Sequence, residues 1–258
     1  MSSESTITVA LLFPDLLGTY GDSGNAVILA QRLRWRGLPA EVLTVRSGEP
    51  VPVGCALYVV GGGEDLPQSL AARQLGAGTG SGPLNLAVES GAVVLAVCAG
   101  LQILGNSFVG PDGLLTPGLG LLDCSTNHGP GPRAVGEVLV EPVPELGLPA
   151  LTGYENHAGV TTVGPESVPL GRVVHGRGNN DGSGLDGARR GKVLGTYLHG
   201  PVLARNPALA DLLLSWAVGD LEPLDDTECD ELRRERLAAF GPPVLGGRAG
   251  RLLSALRR

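Results

Sequence analysis

One cysteine and one histidine stand where they could act together as a nucleophile and a base. Cys98 follows an apolar run at 92–97 and begins the small, helix-compatible stretch 99–104. A nucleophile on a sharp strand-to-helix turn is exposed above the sheet, beside N–H groups whose positive potential favours thiolate over thiol. His199 ends a second apolar, β-prone run at 193–198. The pattern predicts an enzyme in which His199 takes the thiol proton.

Most free cysteines are small buried apolar residues, and Cys98 taken alone would be assigned that role. Three neighbours favour catalysis instead: Ala96 just before the turn, Gly100 just after it, and His199 on a distant strand. A redox-sensing thiol, in which Cys98 pairs with Cys55 or Cys124, is a third interpretation.

Length and composition limit the class of protein. The chain has 258 residues, so it can bury a large core. Its formal net charge of −7 argues against a nucleic-acid surface, which needs a basic face. Its four cysteines include no C-x-x-C pair, which disfavours a disulfide scaffold or zinc ribbon and favours a reducing compartment. The polar start of the chain and the lack of a long apolar run predict a cytoplasmic protein without a signal peptide or transmembrane segment.

In the first half, β-prone runs alternate with helical patterns, which predicts an α/β fold: a mostly parallel open sheet flanked by helices. The predicted strands are 6–13, 40–45, 56–60 and 92–97, and the predicted helices are 25–35, 67–75 with Asp65 as N-cap, and 83–90. Past residue 113, runs at 134–140, 159–163, 172–175 and 193–198 predict added short mixed or antiparallel strands. In such sheets, ligands bind at the carboxyl ends of the parallel strands. The three glycines at 61–63, Cys98 and His199 are all expected at that edge.

Two helical patterns, 207–218 and 225–240, close the chain before a glycine-rich, basic tail at 241–258. We expect residues 1–220 to form one domain and residues 221–258 to form a C-terminal helix with a loosely ordered tail.

Several motifs together resemble a class I glutamine amidotransferase. The strings GGGE at 61–64, VCAGLQ at 97–102 and YLHGP at 197–201 match that class in order and spacing. Within the class, the chain is most similar to the cobyric-acid-synthase-like branch. The strings PDLLGTYGDSGN at 14–25 and YENHAG at 154–159 resemble the glutaminase (GatD-like) subunits of lipid II isoglutaminyl synthases.

The resemblance implies a flavodoxin-like fold and hydrolysis of glutamine through a thioester on Cys98, with His199 as the proton shuttle. It implies oxyanion donors at the backbone N–H of Ala99 and in the Gly62–Gly63 turn, although an ordinary tight turn is the alternative for the glycines. No G-x-x-x-x-G-K-[ST] phosphate loop exists, so no ATP site is expected on this chain.

Three further residues are candidates for binding glutamine. Arg133, in a loop that resembles the corresponding family segment, would grip the α-carboxylate, with a plain surface arginine as the alternative. Gln102, four residues after the cysteine, would line the pocket or cap the turn. His157 would shape the pocket or serve as a hydrogen-bonded structural histidine. No histidine has a short metal-ligand spacing, so no metal is expected.

Two positions depart from the class pattern. Ala96 stands where the class frequently has glycine. Alanine fits this position as long as its backbone keeps a negative φ. Pro201 stands where the class usually carries the glutamate that orients the histidine. We therefore expect a partner subunit to supply the third carboxylate and the isolated chain to hydrolyse glutamine poorly. Asp15 and Asp22 lie in the first β–α loop, and Asp22 is a candidate N-cap.

The leading hypothesis is an ammonia-producing subunit of a heterodimer. The resemblance implies a Mur-ligase-like partner that uses ATP and Mg²⁺ to amidate the D-glutamate of lipid II in peptidoglycan synthesis, with no cofactor on this chain. Two alternatives stay open: a glutaminase for cobyrinate or another acceptor, and a non-catalytic subunit that binds glutamine or a partner.

Overall fold

The structure is a computed structural model that describes residues 6–110 and 112–240. The chain divides into two compact units between Asp225 and Asp226, and the domain boundary expected at residue 220 stays a prediction. The tail expected at 241–258 lies outside the described residues. In the part that is described, every helix is too short or too polar to cross a bilayer.

Between residues 7 and 104, the elements follow one another in the order that the alternating pattern predicts. The strands are β1 (Ile7–Leu12), β2 (Ala40–Val45), β3 (Leu57–Val60), β4 (Val93–Val97), β5 (Ser107–Val109), β6 (Leu115–Pro117), β7 (Cys124–His128), β8 (Ala134–Pro142), β9 (Leu151–His157), β10 (Gly159–Val163), β11 (Gly171–His175), β12 (Leu185–Asp186), β13 (Ala188–Arg190) and β14 (Val193–Thr196). The α-helices are α1 (Gly24–Trp35), α2 (Asp65–Gln74), α3 (Pro83–Glu89), α4 (Ala99–Leu104), α5 (Val202–Arg205), α6 (Pro207–Val218) and α7 (Thr227–Ala239), where α7 belongs to the second unit.

A six-stranded sheet with the order β13-β14-β4-β3-β1-β2 forms the centre of the first unit. Its neighbours are parallel except for the edge pair of β13 and β14. Every residue of β3, β4 and β14 is buried, which explains why these strands are continuous apolar runs rather than alternating ones. The expected α/β fold with a mostly parallel sheet is confirmed.

Two four-stranded sheets, β10-β7-β5-β6 and β12-β11-β8-β9, supply the added strands of the second half. These strands pair as mixed sheets, as expected: most pairs are antiparallel, and β5 and β7 form a parallel pair. However, β14 belongs to the central sheet, where it lies parallel to β4. The carboxyl ends of β4 and β14 therefore meet at one edge of the sheet.

Two local predictions need correction. The α2 helix begins at Asp65 and has Glu64 at its N-cap, so Asp65 lies in the first turn, where a carboxylate complements the positive helix end. The β9 strand was not expected because its sequence contains glycine and several polar residues. Its Gly153 permits close packing, since a Cβ there would lie 2.7 Å from Cδ2 of Leu198.

An ion pair joins α1 to α6. The buried Arg32 donates from Nε and Nη2 to the two carboxylate oxygens of Asp211, each at 2.7 Å, and Arg36 Nη2 donates to Asp211 Oδ2 at 2.8 Å. Burial raises the pKa of Asp211, but the two arginines lower it below its usual value.

We expect Asp211→Asn to lower the free energy of unfolding at pH 7 by about 2 kcal/mol, because two arginines lose their carboxylate. Urea denaturation measures the change. Since the pKa of Asp211 is depressed on folding, this stabilisation is present above the unfolded value of about 3.9 and is lost as the pH falls through the folded value. Equal stability of both proteins at pH 7 would contradict the role of this pair.

Candidate active site

Cys98 occupies a sharp and strained turn between β4 and α4. Its backbone has φ 52° and ψ −107°, a conformation that costs a non-glycine residue about 1–3 kcal/mol. A Cβ on Gly100 would lie 2.5 Å from the carbonyl oxygen of Val60, so glycine allows α4 to begin directly above the sheet. The side chain of Cys98 is buried but lines a pocket. The predicted strand–cysteine–helix turn is therefore present.

His199 follows β14 and is held on both sides. Its N–H donates to the carbonyl of Tyr154 at 2.8 Å, and the Tyr154 N–H donates to the carbonyl of His199 at 3.1 Å. Its Nδ1 lies 2.9 Å from Oδ2 of Asp22, and Tyr20 packs on the ring with a centroid distance of 4.6 Å. The imidazole thus has a fixed position and a carboxylate partner.

That carboxylate was expected from a partner subunit, but in this structure the chain itself places one at His199. Asp22 is fully buried and belongs to this chain. It does not cap α1, because Ser23 is at the N-cap and no side chain caps that helix. Pro201 packs on the start of α1, since a Cβ on Gly24 would lie 2.5 Å from its Cγ. The position that departs from the class pattern therefore packs against the first residue of α1, which directly follows the loop that carries Asp22.

The side chains of Cys98, His199 and Asp22 meet beside Gly62. A Cβ on Gly62 would lie 2.7 Å from His199 Cε1, 3.0 Å from Asp22 Oδ2 and 3.4 Å from Cys98 Cβ. Only glycine leaves room for the imidazole there. Among the described residues, Nε2 of His199 has no hydrogen bond of regular geometry, so it is free to exchange a proton with a reacting group.

The charge state of His199 depends on both neighbours. Burial lowers the pKa of His199, but its interactions with Asp22 and Cys98 raise it to about 10. The imidazole therefore holds its proton at neutral pH, and an imidazolium beside a thiol favours the thiolate. The pair is suited to nucleophilic attack followed by protonation of a leaving group.

The expected oxyanion donors are only partly available. The Gly62 N–H donates to Asp22 Oδ2 at 2.9 Å, so its assignment as an oxyanion donor is wrong for this structure. Within the described residues, the Gly63 N–H has no hydrogen bond. Ala99 is the first residue of α4, where the N–H has no partner within the helix. The two open donors are thus Gly63 and Ala99.

The three candidate glutamine-binding residues all line the pocket at Cys98. The pocket is bordered by Gly63, Asp65, Gln68, Cys98, Ala99, Gln102, His128, Arg133, His157, Ala158 and Gly159. Arg133 is exposed at this pocket, and its guanidinium donates to the side chain of Asn156 and, from Nη2 at 3.0 Å, to the carbonyl of the same residue. The Arg133 guanidinium therefore places a positive charge at the pocket that Cys98 lines.

Gln102 and His157 are ordered by neighbours within the pocket wall. Gln102 accepts from Gln68 Nε2 at 2.9 Å and donates to the Tyr197 hydroxyl at 3.1 Å, so it does not cap its own turn. His157 stacks on Tyr197 with ring centroids 3.7 Å apart, and its Nδ1 lies 3.0 Å from the carbonyl of Gly159. It is both a pocket residue and a hydrogen-bonded structural histidine.

Sequence reasoning missed two parts of the site. Asp22 could have been found, because it lies in a loop at the carboxyl edge of the sheet. Gln68 could not have been predicted from the sequence. It is one polar residue on an ordinary amphipathic helix, and its role depends on the position of Gln102.

Comparisons with known proteins agree with this arrangement. Residues 8–207 match the family model of the CobB/CobQ-like glutamine amidotransferase domain. The lipid II isoglutaminyl synthase (glutamine-hydrolyzing) subunit GatD of Staphylococcus aureus (strain N315) is 35% identical over 212 residues, 82% of this chain and 84% of that protein. The subunit of the same name from Streptococcus pneumoniae (strain ATCC BAA-255 / R6) is 33% identical over 215 residues, 82% and 80% of the two chains. A crystal structure of a glutamine amidotransferase, 24% identical, has the same fold, with a TM-score of 0.53 over 81% of this chain and 98% of that chain.

We expect His199→Gln to slow the alkylation of Cys98 by iodoacetamide at least about tenfold at pH 7, because the cation that favours the thiolate is removed. Peptide mapping by mass spectrometry measures the rate. The exposed Cys229 is an internal reference whose rate should not change. Equal rates at Cys98 in both proteins would show that the imidazole does not act on this sulfur.

Proposed function

The chain belongs to the CobB/CobQ-like glutamine amidotransferase family, and we propose that it is the glutaminase subunit of a lipid II isoglutaminyl synthase. The single observation that carries the catalytic part is the meeting of Cys98, His199 and Asp22 beside Gly62. The acceptor part is supported by two relatives of that name, which align with about four-fifths of this chain and of their own length.

In the proposed reaction, the Cys98 thiolate attacks the side-chain carbonyl carbon of glutamine. The N–H groups of Gly63 and Ala99 stabilise the oxyanion of the tetrahedral intermediate. The imidazolium of His199 gives its proton to the amide nitrogen, the C–N bond breaks, and ammonia leaves a γ-glutamyl thioester. Arg133 is suited to hold the α-carboxylate because its guanidinium lies at the pocket.

Hydrolysis of the thioester returns the site to its starting state. The neutral imidazole of His199 accepts a proton from water as the water oxygen attacks the thioester carbonyl. The C–S bond then breaks, the new γ-carboxyl group releases its proton to solvent, glutamate leaves, and the thiolate of Cys98 again faces an imidazolium. The net reaction is glutamine plus water to glutamate, ammonia and one proton.

Asp22 acts in this scheme as a positioning residue. Its Oδ2 accepts the Nδ1–H of His199, which leaves Nε2 to exchange protons with the reacting groups. Because this chain supplies a carboxylate, the expectation that the isolated chain hydrolyses glutamine poorly loses its basis. The chain by itself should release ammonia from glutamine.

We expect Asp22→Asn to lower kcat for glutamine hydrolysis about 100-fold, with a smaller change in KM, because the imidazole loses its orientation and its charge partner. Since Asp22 raises the pKa of His199, the alkaline fall in activity should move to lower pH in the variant. Ammonia release across pH 6–10 measures both effects.

The matched control is Asp15→Asn, which changes a carboxylate of the same loop that is hydrogen-bonded to the Ser47 N–H at 3.1 Å, away from His199. Its kcat should equal that of the unchanged protein. An Asp22→Asn variant with unaltered kcat and pH profile would remove Asp22 from the mechanism.

We propose that the ammonia passes to a Mur-ligase-like partner in a heterodimer, which uses ATP and Mg²⁺ to amidate the D-glutamate of lipid II. This chain has no phosphate-loop motif, so activation of the acceptor carboxylate is assigned to the partner. A cytoplasmic location belongs to the same proposal.

The test uses the co-expressed pair with lipid II, ATP, Mg²⁺ and glutamine labelled with ¹⁵N in its side-chain amide. We expect ¹⁵N in the amide of the lipid II D-glutamate. Cys98→Ala should abolish this transfer but retain amidation from ammonium chloride. A parallel reaction offers cobyrinate in place of lipid II, and amidation of cobyrinate alone would favour the first alternative. Unchanged transfer by Cys98→Ala would favour the non-catalytic one.

A further inference from the structure

A buried carboxylate that the reaction above does not use lies next to the strand end that carries His199. Asp186 is fully buried at the end of β12. Its Oδ2 accepts the hydroxyl of Thr196 at 2.6 Å, and its Oδ1 accepts the N–H of Tyr197 at 3.3 Å. Both donors lie within three residues of His199. A charge this deeply buried is costly, so a role beyond packing is expected of it.

Thr196 connects this carboxylate to both catalytic residues. Its carbonyl accepts the N–H of Cys98 at 2.9 Å, and its hydroxyl oxygen accepts the N–H of Leu198 at 3.1 Å. A threonine hydroxyl has one proton to donate, and a carboxylate can only accept it. Asp186 therefore fixes the direction of that hydroxyl and leaves its lone pairs for Leu198, the residue before His199.

Tyr197 extends the same set of contacts to the substrate pocket. Its hydroxyl lies 2.6 Å from the hydroxyl of Thr161 and accepts from Gln102 Nε2 at 3.1 Å. Its ring stacks on His157, and both Gln102 and His157 line the pocket at the cysteine. Asp186 therefore accepts the backbone N–H of Tyr197, the residue whose side chain orders one wall of the pocket.

We propose that Asp186 is a positioning residue of the glutaminase reaction, whose ionised carboxylate fixes Thr196 and Tyr197 and through them the backbone that presents His199 and Cys98. The inference rests on the proposed function, since it requires that these two residues carry the reaction. It assigns no contact with substrate to Asp186.

The ionisation of Asp186 gives this role a measurable signature. Burial raises the pKa of Asp186 to about 6, while the Thr196 and Tyr197 hydrogen bonds and the nearby His157 lower it and Glu155 raises it. On the neighbouring strand β11, the residue paired with Asp186 is Gly171, which has no titratable side chain. A protonated carboxyl offers fewer acceptor sites, so the set of contacts weakens and kcat should fall as the pH drops through about 6. His199, with a pKa of about 10, does not titrate in that range.

The test is Asp186→Asn, which keeps the size of the side chain and removes its charge at every pH. We expect kcat at pH 8 to fall about tenfold or more, KM to change less, and the acidic fall near pH 6 to disappear. Asp211→Asn is the matched control, since it makes the same chemical change in the α1–α6 ion pair and should retain both kcat and the acidic fall.

A second pair of variants covers the case in which Asp186→Asn does not fold. Thr196→Val removes the hydroxyl at nearly constant volume and should lower kcat in the same way. Thr196→Ser keeps the hydroxyl and should recover most of that loss. A kcat in Thr196→Val as high as in Thr196→Ser would contradict the proposal.

The outcomes separate this inference from the proposed function. If Cys98→Ala still hydrolyses glutamine, the proposed function is wrong. If Cys98→Ala is inactive while Asp186→Asn keeps the kcat and acidic fall of the unchanged protein, only the positioning role is wrong. A variant that loses thermal stability alone, with kcat and pH profile unchanged below its unfolding temperature, likewise reduces Asp186 to a structural residue.

Discussion

The contact of Asp22 with His199 decides which chemistry the rest of the site can support. A carboxylate on Nδ1 keeps the imidazole charged beside the sulfur of Cys98 and leaves Nε2 for proton exchange. The same carboxylate oxygen accepts the Gly62 N–H, so it is held from two directions. All of these groups are almost fully excluded from water, where a fixed charge acts more strongly than it would at the surface.

The order of strands in the central sheet explains how four distant segments meet. Asp22 follows β1, Gly62 follows β3, Cys98 follows β4 and His199 follows β14, and these four strands are consecutive parallel neighbours. Their carboxyl ends therefore deliver one part of the site each to the same edge. The turns can approach so closely because glycine stands where a Cβ would collide, as at position 62.

The parts of this arrangement that depend on local pattern could be predicted from the sequence, whereas those that depend on distant contacts could not. Apolar runs and helical spacing predicted the sheet, the turn at Cys98 and the position of His199 at the end of a buried strand. The orienting carboxylate was sought two residues after His199, but the actual contact spans 177 residues. The β9 strand was missed for a related reason. Its place in the fold depends on the packing of Leu198 over Gly153, and not on an alternation of apolar and polar residues within the strand.

Pro201 shows why losing the usual glutamate position need not mean losing the carboxylate. Its ring packs on Gly24 at the start of α1, and Asn25 at the same helix start accepts the N–H of Leu203 at 3.0 Å. The segment after His199 and the loop that carries Asp22 are thus joined by packing and by a hydrogen bond, so the loop can present a carboxylate to the imidazole. Because Cys98, His199 and Asp22 meet within one chain, the proposed reaction requires the partner to consume ammonia and does not require it to supply a carboxylate.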